Sequence, residues 1–288
     1  MLVTLISGLA TGSIYTIVAV GYNLTWLTAK VVNFAFAMFI VTGMYFTVWM
    51  YSLGFHPLAI FAVLIIVGAL IALIEYYVAI RPIANRGDHA ELVTTVGVTT
   101  ALQGIILLFN TSEAIRVPFF AGDTLIDVFG GGRTSVASIV LIIVAVVIAI
   151  GTHLWSTRTR SGLAALAQSE DRNAALILGV RPARTAFLVF VLSGVLGFAV
   201  APFVGPVTFA IVTIGAVLAI KGFVVLAIGG LGSQFGALIG GLLLGVIEAF
   251  VIRFADATYQ NPVVYLVFIL FLLLRPQGLF GANRERTV

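Results

Sequence analysis

The 288-residue sequence predicts an all-α polytopic membrane protein with about nine transmembrane segments. Hydrophobic residues make up 61% of the chain and charged residues 9%, proportions that lie outside the range of soluble proteins. The 30 glycines fit the same class, because membrane helices tolerate glycine and use it for close packing. The absence of cysteine excludes disulfides and thiolate metal sites, and the sequence predicts no other metal site.

The length of the apolar segments predicts which of them cross the membrane, since a hydrocarbon core of about 30 Å takes roughly 20 helical residues. They lie near residues 2–27, 31–51, 57–80, 91–110, 134–155, 183–203, 207–228, 236–253 and 260–274. Two of them are weak. The connection around Lys30 is short, and Gly215, Lys221 and Gly222 are candidate helix breakers, which leaves open whether 207–228 is one continuous helix.

The distribution of Lys and Arg predicts an N-terminus outside and a C-terminus in the cytoplasm. This orientation places eleven of the fifteen basic residues on the inside, a large positive-inside bias. The eleven are Lys30, Arg81, Arg86, Arg158, Arg160, Arg172, Arg181, Arg184, Arg275, Arg284 and Arg286.

Two loops are long enough to have roles of their own within a single transmembrane domain that covers residues 1–288. The outer loop, 111–133, contains Pro118 and the glycine run 130–132, which favour irregular structure. The inner loop, at about 156–182, is rich in Ala, Leu, Gln and Glu, which favour helix. We therefore expect a short cytoplasmic helix there.

The inner loop has the sequence of a rigid segment from Gly162 to a stop at Gly179. Four of its residues recur at helical spacing and predict an apolar face for a groove on a partner, with three charged residues at its rim. The face comprises Leu163, Leu166, Ala167 and Ala174, and the rim comprises Glu170, Asp171 and Arg172. A helix lying on the bilayer surface is the alternative, although such helices usually favour basic residues.

Three ionisable residues fall inside apolar segments, where a charge is costly: Glu75, Lys221 and Glu248. Glu75 lies close to Arg81, which favours an interfacial anchor, snorkelling or paired, over a role in transport. Lys221 and Glu248 lie in neighbouring segments and predict a buried ion pair. A structural role for that pair is favoured over contact with a transported solute, without excluding it.

Polar residues of the first two segments are candidates either for a translocation pathway or for hydrogen bonds between helices, and the two interpretations are evenly matched. They include Ser13, Tyr15, Thr16, Asn23 and Asn33.

Glycines at the four-residue spacing of one helix face follow the run 229–233 and predict close helix packing on that face. They are Gly236, Gly240, Gly241 and Gly245. The sequence contains neither a catalytic motif nor a P-loop, so no cofactor is expected in this chain.

The order of several motifs resembles the LivH-type permeases of branched-chain amino acid ABC importers. The early matches are Gly12-Ser13-Ile14-Tyr15, Val32-Asn33-Phe34-Ala35, Glu75 with Arg81-Pro82, and Thr95-Val96-Gly97. The later matches are Gly162 through Gly179-Val180, Lys221-Gly222-Phe223, Gly229-Gly230-Leu231-Gly232-Ser233 and Arg275-Pro276-Gln277-Gly278-Leu279-Phe280-Gly281.

The resemblance implies a permease that contains no ATP site and depends on partners. These would be a second permease, homologous or identical, two cytoplasmic ATP-binding subunits that hold ATP and Mg²⁺, and an extracytoplasmic solute-binding protein. The 162–179 segment resembles the family's ATPase-contacting loop. An inner-membrane location is expected, with membrane lipid and no nucleic acid as surroundings.

The sequence departs from the family pattern at two points. Phe36-Ala37-Met38 replaces a stretch that is often more polar in the family, and Leu166 stands where Arg is frequent. With Phe34, Phe36 thus becomes a candidate pathway residue that favours apolar cargo. Importers of urea, amides or aromatic acids, an ion-coupled secondary transporter and a passive channel remain alternatives.

Overall fold

The computed structural model describes residues 1–83, 90–110, 113–122, 124–128 and 132–281, except for the side chain of Ala29. Within these ranges the regular secondary structure is helical, apart from one hairpin and an isolated bridge between Ile115 and Ala210. Three of the basic residues predicted on the inside, Arg86, Arg284 and Arg286, lie outside the described residues, as do two glycines of the run 130–132.

The described chain forms eleven α-helices. They are α1 (Leu2–Ala29), α2 (Ala35–Ser52), α3 (Pro57–Glu75), α4 (Ala90–Phe109), α5 (Val136–Arg158), α6 (Arg160–Glu170), α7 (Arg172–Ile177), α8 (Pro182–Thr208), α9 (Ile214–Gly229), α10 (Gln234–Phe254) and α11 (Gln260–Leu274). A π-helical turn, Tyr76–Ile80, continues α3, and a 3₁₀ turn, Ala257–Tyr259, precedes α11. Strands β1 (Leu125–Val128) and β2 (Gly132–Ser135) pair antiparallel.

Within the part of the chain that the structure describes, eight stretches of helix are long and apolar enough to cross a membrane, and they correspond to eight of the nine predicted segments. The weak pair around Lys30 is two separate helices. Lys30 ends the first of them in the left-handed region, at φ 58°, where its amide still bonds to the Trp26 carbonyl 3.2 Å away.

The ninth predicted segment, 207–228, is not one helix. Helix α8 ends at Thr208, Phe209 takes a φ of 64°, and a shorter apolar helix begins at Ile214. The chain runs as helix through Gly215, Lys221 and Gly222, so the interruption precedes these candidate breakers. A Cβ at Gly222 would collide with Val18 of α1, so the close contact between these helices requires glycine at this position.

The Cα positions group into two compact units, one of them formed by Leu24–Thr124 with Leu154–Ala219. In this unit α8 packs along α2 and α3. The contact is close where Gly68 and Gly194 face each other, because a Cβ on either would collide with the backbone of the other. Phe39 and Phe198, both fully buried, fill its core.

The other unit combines Met1–Asn23, Leu125–His153 and the chain from Ile220 onward. Here the predicted close packing of the glycines is confirmed, but they lie on two faces of α10, and the prediction of a single face was wrong. Gly241 and Gly245 meet the backbone of α1 at Gly12, whereas Gly236 meets Gly229 of α9. Residues four apart lie on one helix face, so the glycines at 241 and 245 form one contact and those at 236 and 240 another.

Two of the sequence motifs form one structural element in this unit, the 229–233 glycine run and the 275–281 segment. The amides of Leu279 and Phe280 donate to the last carbonyls of α9, Ile228 and Gly229, at 2.8 and 3.1 Å. A Cβ on Gly230 would collide with Gly281. The C-terminal segment thus caps α9, whose final carbonyls would otherwise lack partners.

Candidate translocation and coupling sites

A cluster of buried polar side chains joins four helices of the unit that contains the N-terminus. Lys221 Nζ of α9 lies 2.7 Å from Glu248 Oε1 of α10, and the two side chains are 5% and 1% exposed. Tyr15 of α1 donates to Glu248 Oε2 at 2.7 Å and accepts from Lys221 Nζ at 3.1 Å. Gln260 of α11 donates to the same Oε2 at 2.8 Å. The structure thus forms the ion pair that the sequence predicted.

The polar residues of α1 make three different kinds of contact. Tyr15 belongs to the buried ion pair, whereas Ser13 donates to the Leu9 carbonyl of its own helix at 2.7 Å. Asn23 holds the turn that precedes α10: it accepts from Gly232 N at 2.7 Å and donates to Ser233 O at 2.9 Å. For Asn23, the structure therefore favours the interpretation as a hydrogen bond between structural elements over a place in the translocation pathway.

A second buried polar pair lies in the other unit. Asn33 Nδ2 donates to Glu75 Oε2 at 3.0 Å, while Asn33 Oδ1 accepts from Ala35 N at 2.9 Å and shapes the start of α2. Glu75 is 3% exposed, so it does not snorkel to the interface, and its partner is an amide. Its Oε1 accepts no hydrogen bond among the described residues. Glu75 is the residue that directly precedes the π-helical turn, and such turns often mark functional positions.

The remaining candidate pathway residues are packed differently. Phe36 is 1% exposed and Phe34 is half-buried at the N-terminus of α2. Their role in cargo selection stays a prediction.

The inner loop contains two short helices where one was expected. Thr159 caps α6 by accepting from Gly162 N at 3.1 Å. Asp171 separates the helices: its backbone is extended, at φ −143°, and its carboxylate accepts from the amides of Asn173 and Ala174 at 2.8 and 3.0 Å. An Asp that caps the next helix in this way ends the previous one. Gly179, at φ 84°, supplies the predicted stop.

The exposed face of this helix pair only partly matches the predicted one. Leu163, Ala174, Glu170 and Asp171 are exposed, while Leu166 and Ala167 are half-buried and Gly162 is buried. The most exposed apolar residues of the helix pair, Ile177 and Leu178, lie outside the predicted face; they are 86% and 80% exposed at the end of α7. Two apolar residues directly before the Gly179 stop could have indicated an exposed apolar helix end.

Comparison with known proteins assigns a family to this architecture. The family described as branched-chain amino acid transport system / permease component matches residues 4–274. The high-affinity branched-chain amino acid transport system permease protein BraD of Pseudomonas aeruginosa is 30% identical over 96% of this chain and 94% of its own length. LivH of Escherichia coli K12, of the same description, is 27% identical over 96% of this chain and 94% of its own.

A more distant source gives the same result. The probable branched-chain amino acid transport permease protein LivH of Methanocaldococcus jannaschii is 27% identical over 95% of this chain and 90% of its own length. No solved structure matches the chain. With a match from residue 4 to residue 274 and eight helices able to cross a membrane, the chain belongs to the family of permease components of branched-chain amino acid transport systems.

Proposed function

We propose that this chain is a permease subunit of an ATP-binding-cassette importer that moves branched-chain or related amino acids across the inner membrane. The observation that carries the proposal is the family match over residues 4–274, with relatives of this name aligned along nearly their whole length. The proposed partners are a second permease, homologous or identical, two cytoplasmic ATP-binding subunits that bind ATP and Mg²⁺, and an extracytoplasmic solute-binding protein.

The α6–α7 pair supports a role in coupling to an ATP-binding subunit. Its two helices are capped by Thr159 and Asp171, which fixes their backbone, and Leu163, Ile177 and Leu178 present apolar surface. Exposed apolar groups on a capped helical segment are typical of protein contacts. We infer that these side chains enter a groove on the ATP-binding subunit.

An ion-coupled secondary transporter is the competing function, with Glu75 or Glu248 as the coupling site. The pairing of Glu248 with Lys221 at 2.7 Å favours the importer, because an ion-coupling carboxylate has to be free to exchange its ion. Importers of urea, amides or aromatic acids differ from the proposal only in cargo.

Reconstitution tests the proposal. The chain is assembled with its partner subunits in liposomes, and uptake of radiolabelled leucine is measured with the binding protein and ATP. We expect uptake that requires ATP and is unaffected by ionophores, with urea and phenylalanine failing to compete. Uptake that follows a proton or sodium gradient without ATP would establish the competing function, and uptake of urea or phenylalanine in place of leucine would correct the cargo.

A variant of the α7 end tests the coupling role. Ile177→Asp places a charge on a side chain that is 86% exposed, so the chain is expected to fold and insert normally. In a partner's groove the new carboxylate would be desolvated without a counter-charge. We expect stimulated ATPase activity and uptake to fall together by about tenfold or more, which corresponds to a loss of about 1.4 kcal/mol in coupling.

The matched control is Asn173→Asp, which adds the same charge at an exposed polar position of the same helix. It is expected to transport like the unmodified chain. Leu163→Asp should behave like Ile177→Asp, since Leu163 is 47% exposed on α6. Full transport in both apolar-to-acidic variants would disprove the coupling role of this helix pair.

A further inference from the structure

A cavity of about 580 Å³ lies within the unit formed by Leu24–Thr124 and Leu154–Ala219. It is bounded by the last turn of α5 and by the first two turns of α6 and of α8, with Gly179 and Val180 between them. Helices α5 and α8 are both long and apolar enough to cross a membrane, and the cavity adjoins the end of one and the start of the other. It therefore lies at one edge of the bilayer.

Three arginines line this cavity, and none of the described residues that line it is acidic. Arg160 begins α6, Arg181 directly precedes α8, and Arg184 lies in the first turn of α8. All three are exposed, and none forms an ion pair with another described residue. Guanidinium groups gathered without a counter-charge repel each other, and an anion between them offsets that cost. The cavity is therefore suited to an anionic ligand.

The wall formed by α8 changes from basic to apolar along the helix. Arg181, Arg184 and Leu188 follow each other at spacings of three and four residues, so they share one helix face. Leu188 lies about 10 Å of helix rise beyond Arg181, and it is 44% exposed. A ligand that follows this wall needs a negative charge at one end and an apolar part at the other.

The wall formed by α5 and α6 has a side chain typical of the membrane–water boundary. Trp155 lines the cavity and donates from Nε1 to Ser161 Oγ at 3.1 Å. Tryptophan is enriched at the level of the lipid headgroups, where its ring meets hydrocarbon and its N–H finds a polar partner. Trp155 therefore indicates that the cavity lies at headgroup level.

The length of α8 indicates the same level. Its 27 residues span about 40 Å, whereas the hydrocarbon core measures about 30 Å, so the helix extends beyond the core. The topology predicted from the sequence places the start of α8 on the cytoplasmic side. Arg181 and Arg184 then lie among the headgroups of the inner leaflet, and Leu188 lies where the acyl chains begin.

We propose that this cavity binds an anionic phospholipid of the cytoplasmic leaflet. The lipid phosphate pairs with Arg160, Arg181 and Arg184, whose planar guanidinium groups match phosphate oxygens, and an acyl chain lies along Leu188. Basic cavities between membrane helices on the cytoplasmic side are typical sites for such headgroups. An acidic segment of a partner protein would satisfy the arginines but not the apolar wall that continues toward the hydrocarbon.

Quenching of Trp155 tests the site. The full chain carries Trp26→Phe and Trp49→Phe, so that Trp155 is the one tryptophan left of three. In detergent it is titrated with phosphatidylglycerol or phosphatidylcholine whose identical acyl chains carry bromine, which quenches tryptophan on contact. Each arginine near an anionic headgroup improves binding by about fivefold. Half-maximal quenching by phosphatidylglycerol is therefore expected at a concentration at least about tenfold lower, and equal quenching by the two lipids would overturn the proposal.

Two variants separate a site from general attraction to a basic surface. Arg184→Gln removes one charge from the cavity and should raise the half-quenching concentration of phosphatidylglycerol by about fivefold, with phosphatidylcholine unchanged. Because Arg184 is exposed, this variant is expected to fold. The matched control is Arg158→Gln, which removes the same charge from an exposed position outside the cavity and should behave like the parent chain. Equal losses in the two variants would disprove a specific site.

Two competitors distinguish the lipid from other sources of an anion. Excess inorganic phosphate, compared with chloride at the same ionic strength, should not relieve quenching by phosphatidylglycerol, because it lacks the acyl chain. Relief by phosphate would assign the cavity to a soluble phosphate ligand instead. ATP-binding subunits that co-elute with the chain should also leave the quenching in place, and loss of quenching in that complex would assign the arginines to a protein contact.

Discussion

Single buried residues carry the largest electrostatic costs in this chain. Each charge of the Lys221–Glu248 pair loses several kcal/mol of hydration on burial, which attraction offsets only where the geometry is good and the remaining atoms find partners. The 2.7 Å separation and the two donors to Oε2, Tyr15 and Gln260, meet that requirement. The pair thus holds α1, α9, α10 and α11 at one point.

Breaking the pair on one side should be more harmful than removing it entirely. Lys221→Met leaves Glu248 buried without a counter-charge, and we expect a loss of about 3–5 kcal/mol in stability. The double variant Lys221→Met/Glu248→Leu should recover part of that loss. Thermal unfolding in detergent, followed by tryptophan fluorescence, measures the stability of the single and the double variant. A double variant less stable than Lys221→Met would show that the charges are needed together for folding.

Glu75 presents the opposite case, a buried carboxyl with one amide donor, from Asn33, and no hydrogen-bond partner at Oε1 among the described residues. A buried polar group with so few hydrogen-bond partners costs free energy, so this position contributes little to stability beyond its bond to Asn33. Glu75→Gln, which keeps the shape and the acceptor, should change stability by less than about 1 kcal/mol and leave uptake intact. Glu75→Leu deprives Asn33 of its acceptor and should cost about 1–3 kcal/mol.

The same pair of variants bears on mechanism. A proton-coupled transporter would lose uptake in Glu75→Gln, since the amide cannot release a proton, while its stability stayed unchanged. Intact ATP-driven uptake in Glu75→Gln combined with a destabilised Glu75→Leu is the result expected for a structural role.

At the residue scale, the sequence identified the charged residues but not all of their partners. Glu75, Lys221 and Glu248 stand out because ionisable groups are rare in apolar segments. Tyr15 is 233 positions from Glu248 and Asn33 is 42 from Glu75, so only the folded chain shows these contacts. For the same reason the snorkelling interpretation of Glu75, based on its nearness to Arg81 along the chain, was wrong.

At the scale of elements, glycine determines how closely helices approach. Gly12 of α1 lies against the backbone of Gly241 and Leu242 on α10, where an added Cβ has no room. Gly97 of α4, in contrast, has open space around its Cα. The four-residue spacing predicted the first contact, whereas a sequence gives no means of separating a packed glycine from a free one.

Two substitutions should therefore have opposite effects. Gly12→Leu forces α1 away from α10 and is expected to destabilise the chain by roughly 3 kcal/mol or more, within the range of overpacking at tight backbone contacts. Gly97→Ala should be neutral or stabilise it by up to about 1 kcal/mol, because alanine has the higher helix propensity. Detergent-resistance and thermal-melt assays compare them. Equal stability in both variants would contradict the α1–α10 contact.

Helix boundaries show where local signals fail. The break before α9 occurs at Phe209, a residue with no turn propensity, whose φ of 64° accompanies the exchange of backbone hydrogen bonds between Ile115 and Ala210. Propensity pointed instead to Gly215 and Gly222, which lie within the helix. Tertiary pairing therefore overrides local preference at this end of the segment.

At the scale of the whole molecule, composition alone was sufficient for the fold class, because no soluble fold covers 61% hydrophobic residues. Composition does not predict how the helices group into compact units. One compact unit joins the first 23 residues to the chain from Ile220 onward, and contacts at such separations leave no periodic signal in the sequence.

Orientation in the membrane is the remaining global prediction, and cysteine accessibility tests it. Glu170 in the inner loop and Thr124 in the outer loop are both exposed, which makes them suitable positions.

In intact cells, an impermeant maleimide should label Thr124→Cys and not Glu170→Cys, because the positive-inside bias places the 156–182 loop in the cytoplasm. After permeabilisation both cysteines should react, which controls for accessibility. The native chain, which has no cysteine, provides the blank. Labelling of Glu170→Cys alone in intact cells would invert the topology.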